Sequence, residues 1–270
     1  MVDPGVEGPR LYKLLYNDYD FNFGGSVVGI SGSQGSVKTT VCLDLAEKKI
    51  RHHKDEKIFW RETLKSPMQC QRLLHTGYEV YVEEGVDIVF VEALTQRVVP
   101  HKKTFFGSVE ELYDMCDNGV VNVVFFKDNQ KWTSLIDVCN MHGFNWNTVF
   151  LDEMEGLYEA GANNQTEERW WDWMSDSGHV IKECRKSHTS VVGNYHDENL
   201  IDHRVKGKFM FFLYGFGAIV NAQRSRVKQS MVDGCKRGEF CIALGRNRYG
   251  KIMVNTFYPA VENCIIPVMK

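Results

Sequence analysis

Short apolar runs alternate with amphipathic stretches along most of the chain. Residues 27–30 (Val-Val-Gly-Ile) read as a short buried strand. A Gly/Ser loop follows, then an amphipathic helix over 38–52 whose Val41, Leu43, Leu45 and Ala46 suit packing on a sheet. A charged turn over 48–57 leads into a strand at 58–61. Ser66-Pro67 stops that strand and starts a helix at 68–75. Residues 78–93 alternate apolar and polar on both sides of Gly85, which is a hairpin-like pattern. A helix at 109–117 precedes the continuous apolar run 120–126, typical of a buried parallel strand. Residues 132–142 form a helix with Leu135, Ile136 and Cys139 on one face, ended by Gly143.

The second half continues the alternation. Thr148 to Leu151 is an apolar strand ending in Asp152-Glu153. A long helix spans 167–187 with Trp170, Trp171, Trp173 and Met174, and strands follow at 190–195 and 209–214. A basic helix spans 224–234, and 239–244 with 251–257 make a closing β-pair. Strands alternating with helices predict an α/β fold with a mainly parallel sheet flanked by helices, a small β-hairpin insertion and a C-terminal β-pair. Residues 1–26 read as an irregular lead-in packed on the core edge, and 27–270 as a single domain.

Composition narrows the setting. A chain of 270 residues can bury a large core, and its net charge of −3 says little about partners. None of the eight cysteines stands in C-x-x-C spacing, which argues against structural zinc and fits a reducing, cytoplasmic compartment (the host's, for a viral protein). His179, His188, His196 and His203 match no common metal-ligand spacing. The longest apolar run, 209–220, is too short to span a bilayer and reads as a buried strand with its turn. No membrane segment is expected.

The loop after the first strand carries the strongest chemical signal. Gly32-Ser33-Gln34-Gly35-Ser36-Val37-Lys38-Thr39-Thr40 is one residue from the phosphate-binding pattern G-x-x-x-x-G-K-[ST]. In such a loop successive N–H groups form an anion nest, and the helix N-terminus adds its positive dipole end. Lys38 is expected to reach the outer phosphates of ATP, and Thr39 to ligate Mg²⁺. Val37 stands where the pattern has glycine, and a β-branched residue is poorly suited to positive φ. Two outcomes follow: the loop opens to avoid strain, or the isopropyl group crowds the phosphate.

A phosphate loop needs a second strand bearing carboxylates. Asp152 is the expected Mg²⁺ residue and Glu153 the catalytic base, with Glu155 next in line. The strand at 189–195 ends near Asn194 and His196. Asn194 is the first choice for a γ-phosphate sensor and His196 the second. Arg185, Arg204 and Arg226 are candidates for an arginine reaching into a neighbouring subunit's site.

These residues resemble a family. The phosphate loop, the Asp152-Glu153 strand, the strand ending in Asn194, Asn199-Leu200-Ile201-Asp202-His203-Arg204-Val205 and Gly238 to Arg246 look like the FtsK–HerA class of P-loop ATPases. Within it they are similar to the packaging ATPases of archaeal viruses and to zonular-occludens-toxin-like assembly ATPases of filamentous phages. The resemblance implies a RecA-like core, a hexameric ring and DNA moved through its pore. The family's usual sensor is glutamine, and Asn194 stands in its place. DNA movement needs local positive charge. Residues 224–251 carry Arg224, Arg226, Lys228, Lys236, Arg237, Arg246, Arg248 and Lys251 against only Asp233 and Glu239, with Tyr249 placed to stack on a base. The resulting expectation is an ATP-dependent DNA motor that packages a viral genome. The alternatives are a morphogenesis ATPase acting on protein partners and a nucleotide-binding module slowed by Val37.

Overall fold

In chain order the strands are β1 (Val27–Ser31), β2 (Lys57–Arg61), β3 (Tyr78–Glu83), β4 (Ile88–Glu92), β5 (Val98–Val99), β6 (Thr104–Phe106), β7 (Val121–Phe125), β8 (Asn147–Leu151), β9 (Thr189–Tyr195), β10 (Phe211–Gly215), β11 (Glu239–Leu244), β12 (Arg248–Met253) and β13 (Ile265–Met269). The helices are α1 (Lys38–His52), α2 (Val109–Met115), α3 (Lys131–Met141), α4 (Glu168–Glu183), α5 (His203–Lys206) and α6 (Gln229–Asp233). The structure, a computed structural model, describes residues 25–61, 78–92, 94–159, 168–220, 227–244, 248–253 and 265–269. Residues 1–24 of the expected lead-in over 1–26, and the expected helix at 68–75, lie outside them.

Ten strands form one sheet in the order β12-β11-β10-β1-β9-β8-β2-β7-β3-β6. From β10 to β6 every pairing is parallel, and β11 and β12 run antiparallel along the β10 edge. All residues of β1, β7, β8 and β9 are buried, as a parallel sheet covered on both faces requires. Alternate side chains divide between the faces. Val28, Trp60 and Phe150 join α1's Val41 and Leu45 in one core. Val27, Phe59 and Val149 join Leu112 of α2, Leu135 of α3 and Ile181 of α4 in the other.

Two sequence expectations change. The 78–93 stretch is not a hairpin: β3 joins the large sheet beside β7 and β6, while β4 pairs antiparallel with β5 and β13 in a separate three-stranded sheet. Alternation alone does not say which strand is the partner. The basic helix shrinks to the five residues of α6, with 221–226 outside the described residues. Within the charged stretch 48–57 one ion pair is sealed from water. Lys49 Nζ and Glu56 Oε1 lie 2.5 Å apart with both side chains fully buried, and Thr148 Oγ1 donates to the same carboxylate oxygen. Burial lowers the Lys49 pKa.

The register of the last strands sets where the chain's ends of sheet lie. Gly215 pairs with Phe240 and Phe211 with Leu244, while Leu244 pairs in turn with Arg248. Leu244 and Arg248 therefore lie at the sheet end where the parallel strands begin. Among the described residues, no helix is long and apolar enough to cross a membrane.

Candidate nucleotide site

The parallel strands finish at one end of the sheet, where ligands of open α/β folds bind. There β1 turns through the loop into α1. Gly35 takes φ 78°, open to glycine at no cost. Val37 adopts φ 67° and ψ 24°, the left-handed conformation, and its carbonyl accepts the first helical bond from Val41 N at 3.1 Å. Its side chain is 6% exposed and belongs to the apolar core beneath the loop. This corrects both expected outcomes. The loop keeps the backbone hand that a glycine would give it, and the isopropyl group points into the core. The conformational strain, about 1–3 kcal/mol, is offset by burial of the side chain, worth about 1.5–3 kcal/mol.

Lys38 Nζ donates to the carbonyls of Gly32 at 2.8 Å and Ser33 at 3.1 Å. Burial lowers its pKa, opposed by the negative charges of Glu155 and then Asp152. Ser36 Oγ is buried in the same loop without a hydrogen-bond partner. A buried, unsatisfied hydroxyl in such a loop suits an anion's oxygens.

Strand β8 delivers the carboxylates. Thr39 Oγ1 donates to Asp152 Oδ1 at 3.2 Å. Asn194, 2% exposed at the end of β9, donates through Nδ2 to the same oxygen and accepts from Glu153 N at 3.0 Å. Asn194 is thus the clamp of the Asp152–Glu153 turn. Glu153 itself is left-handed at φ 51°. From β2, Arg61 Nη1 donates to the carbonyls of Asp152 at 2.6 Å and Glu153 at 2.8 Å. Three strand ends therefore fix one turn.

His196, just past β9, is not a free loop histidine. Its backbone N–H donates to Glu155 Oε1 at 3.1 Å, and its Nδ1 lies 2.6 Å from the same oxygen. Glu155 Oε2 is buried without a partner. The structure thus gathers Gly32 to Thr40, Asp152, Glu153 and Asn194 at one sheet end, and adds Arg61 and Glu155. Arg61 escaped notice because a charge at a strand end is ordinary. Its signal was position, at the tip of an apolar run that borders β8.

The candidate arginines fare differently. Arg204 Nε and Nη2 donate to both carboxylate oxygens of Asp202, at 2.9 and 2.8 Å, and its guanidinium lies 4.2 Å from the centre of the Trp171 ring. It is committed within its own chain. Arg185 donates to Lys208 O at 3.3 Å. Arg226 lies outside the described residues. In the basic segment, Lys251 is paired with Glu239 at 2.8 Å. Arg224 and Arg246 lie outside the described residues, as do the side chains of Arg248 and Tyr249.

No protein-family model matches the sequence, and no curated protein matches it. Solved structures do match the fold. The genome-packaging NTPase B204 of Sulfolobus turreted icosahedral virus 2, in complex with ATPγS, is 10% identical, with TM-score 0.50 over 85% of this chain and 97% of that one. The DNA-packaging ATPase B204 of Sulfolobus turreted icosahedral virus matches at 10% identity and TM-score 0.50 over 85% and 97%. The bacterial conjugative coupling protein TrwBΔN70 is 8% identical, with TM-score 0.52 over 95% and 93%. A lysine and a threonine at the helix start after β1, an Asp-Glu turn two strands away and an asparagine on the strand between them sit at one end of a RecA-like sheet. The chain has the fold of the FtsK–HerA-class P-loop ATPases.

Proposed function

We propose that this protein is a P-loop ATPase that works as a DNA-translocating motor, packaging a viral genome. The observation that carries the ATPase part is the Thr39–Asp152 hydrogen bond, clamped by Asn194 beside Lys38. Both partners are hard oxygen donors of the kind Mg²⁺ takes. Thr39 would hold the ion directly and Asp152 through its water shell. When bound, Mg²⁺ neutralises charge on the outer phosphate oxygens. Gly32 to Thr40 cradle the phosphates with backbone N–H groups, and Lys38 exchanges its loop carbonyls for phosphate oxygens. Glu153 orients and deprotonates the attacking water, with Glu155 as its rival for that role. Asn194 holds the turn that carries both. Positioning of this kind supplies most of phosphoryl-transfer catalysis.

The motor part rests on the local excess of basic residues over 224–251 and on the fold shared with packaging and coupling proteins. A homo-oligomeric ring, hexameric as the resemblance implies, supplies the pore. The reading of a nucleotide-binding module slowed by Val37 is the less favoured one, because Val37 takes a left-handed conformation and packs its side chain into the core. The test is ATP hydrolysis by the purified protein with and without duplex and single-stranded DNA, beside light scattering. Stimulation by DNA and a ring-sized mass are expected. A monomer whose turnover ignores every form of DNA would remove the motor reading.

A further inference from the structure

Apart from the loop's own Lys38 and Thr39, the residues assigned to the outer phosphates lie on one side of β1. Asp152 and Glu155 follow β8, and Asn194 and His196 stand at the end of β9. On the other side of β1 runs β10, and the turn after it touches the phosphate loop. Ser33 N and Ser33 Oγ both donate to Phe216 O at 3.1 Å. Gly217 has φ 69°, and a Cβ there would come within 2.6 Å of Ser33 Oγ, so the close approach requires glycine. The far flank is held as well. Ala218 N donates to Gly215 O at 3.0 Å. Gln229 of α6 donates to Ala218 O at 3.0 Å and accepts from Val220 N at 2.8 Å.

A turn pinned on both flanks still presents two large apolar side chains to solvent. Phe216 is 49% exposed and Ile219 55%. This departs from the sequence expectation that 209–220 is a buried strand and turn. Among the described residues, Phe216 has no aromatic partner. A preorganised aromatic face beside an anion nest has the form of a ring-stacking subsite.

We propose that the turn from Phe216 to Ile219 is the base platform of the nucleotide site. Phe216 stacks on the purine ring of a nucleoside triphosphate, and Ile219 extends the apolar surface. The proposal rests on the phosphate-loop reading above. Its direction follows from polarity. The outer phosphates lie toward Thr39 and Asp152, so the nucleoside leaves the loop on the opposite side, over the end of β10. Stacking reads a ring face rather than its hydrogen-bonding edge, so adenine and guanine are held alike.

The test is calorimetric binding of ATP, GTP and inorganic tripolyphosphate to the full chain and to Phe216→Ala and Phe216→Tyr. Phe216→Ala should weaken ATP and GTP binding by roughly 5- to 150-fold and leave tripolyphosphate binding unchanged within about twofold. Phe216→Tyr should restore ATP binding. Equal weakening of ATP and tripolyphosphate by Phe216→Ala overturns the platform, as does an unchanged ATP affinity, with or without an altered oligomeric state. A parent that binds tripolyphosphate as tightly as ATP overturns the platform while sparing the phosphate-loop reading. A parent that binds neither removes both.

Discussion

Thr39 Oγ1 donates to Asp152 Oδ1 across 3.2 Å, joining the first turn of α1 to the end of β8 over 113 positions of sequence. The bond brings together two oxygens that are ordinary apart and suited to Mg²⁺ together. Asp152→Asn should weaken the Mg²⁺-dependent part of ATP binding by roughly 10- to 100-fold, as loss of a partner in a metal's outer shell does. Thr39→Ser should leave it nearly intact. Titrating Mg²⁺ at fixed ATP reads both, and an Asp152→Asn protein with the parent's Mg²⁺ dependence would place the ion elsewhere.

The proposed mechanism has two candidates for the general base, Glu153 and Glu155. Glu153→Gln should retain nucleotide binding and lose turnover by a factor on the order of 10² or more, as removal of a general base does. Glu155→Gln, whose parent side chain is engaged by His196, should cost less. Single-turnover hydrolysis measured beside ATP affinity separates the two. The reverse ranking would hand the role to Glu155.

Val37 is packed in the core beneath the loop, and its replacement separates a structural role from a catalytic one. Val37→Gly relieves the strain of φ 67° but empties part of the core and loosens the unfolded chain. Stability should fall by about 1 kcal/mol, the residue of these opposed terms. Turnover should stay within a few-fold of the parent. Denaturant unfolding and steady-state hydrolysis check both halves, and a tenfold faster Val37→Gly would show that the valine crowds the phosphate.

The Lys49–Glu56 pair, sealed from water, gives an asymmetric expectation. Glu56→Ala leaves a buried ammonium uncompensated and should destabilise by about 3–5 kcal/mol. Replacing both, as Lys49→Met with Glu56→Leu, should be far milder. Chemical denaturation of the three proteins tests this. A single variant no less stable than the double would mean that the ammonium reaches water.

Replacing Arg246 and Arg248 together by alanine should weaken DNA binding and flatten its salt dependence by about two units of slope, roughly one per lost phosphate contact. An unchanged slope across a salt titration would remove these two residues from any DNA surface.

Much of the site was legible in the sequence because its parts are local. A loop, the lysine after it and an Asp-Glu pair at a strand's end each have fixed spacing. The order of strands was not legible, because alternation marks faces and not partners. That is why β3 and β4 read as a hairpin and separate into two sheets. The core under the loop was equally hidden. Val37 looked like a misfit because its conformation is strained, and only packing shows what its side chain gains. Arg61 and His196 acquire roles only when β2, β8 and β9 finish side by side.

The register of β10 with β11 has a mechanical consequence. Under the proposed function, fuel and load would stand at opposite ends of the same strands. The turn of Phe216 follows Gly215 at the nucleotide end, whereas Leu244 and Arg248 pair level with Phe211 at the other. Four residue steps separate the two levels, roughly 13 Å. DNA gripped at the level of Arg248 would never touch a phosphate being cleaved. Work would have to arrive as tilt of the whole sheet, or be handed across to a neighbouring subunit, with the strands serving as stiff connecting rods.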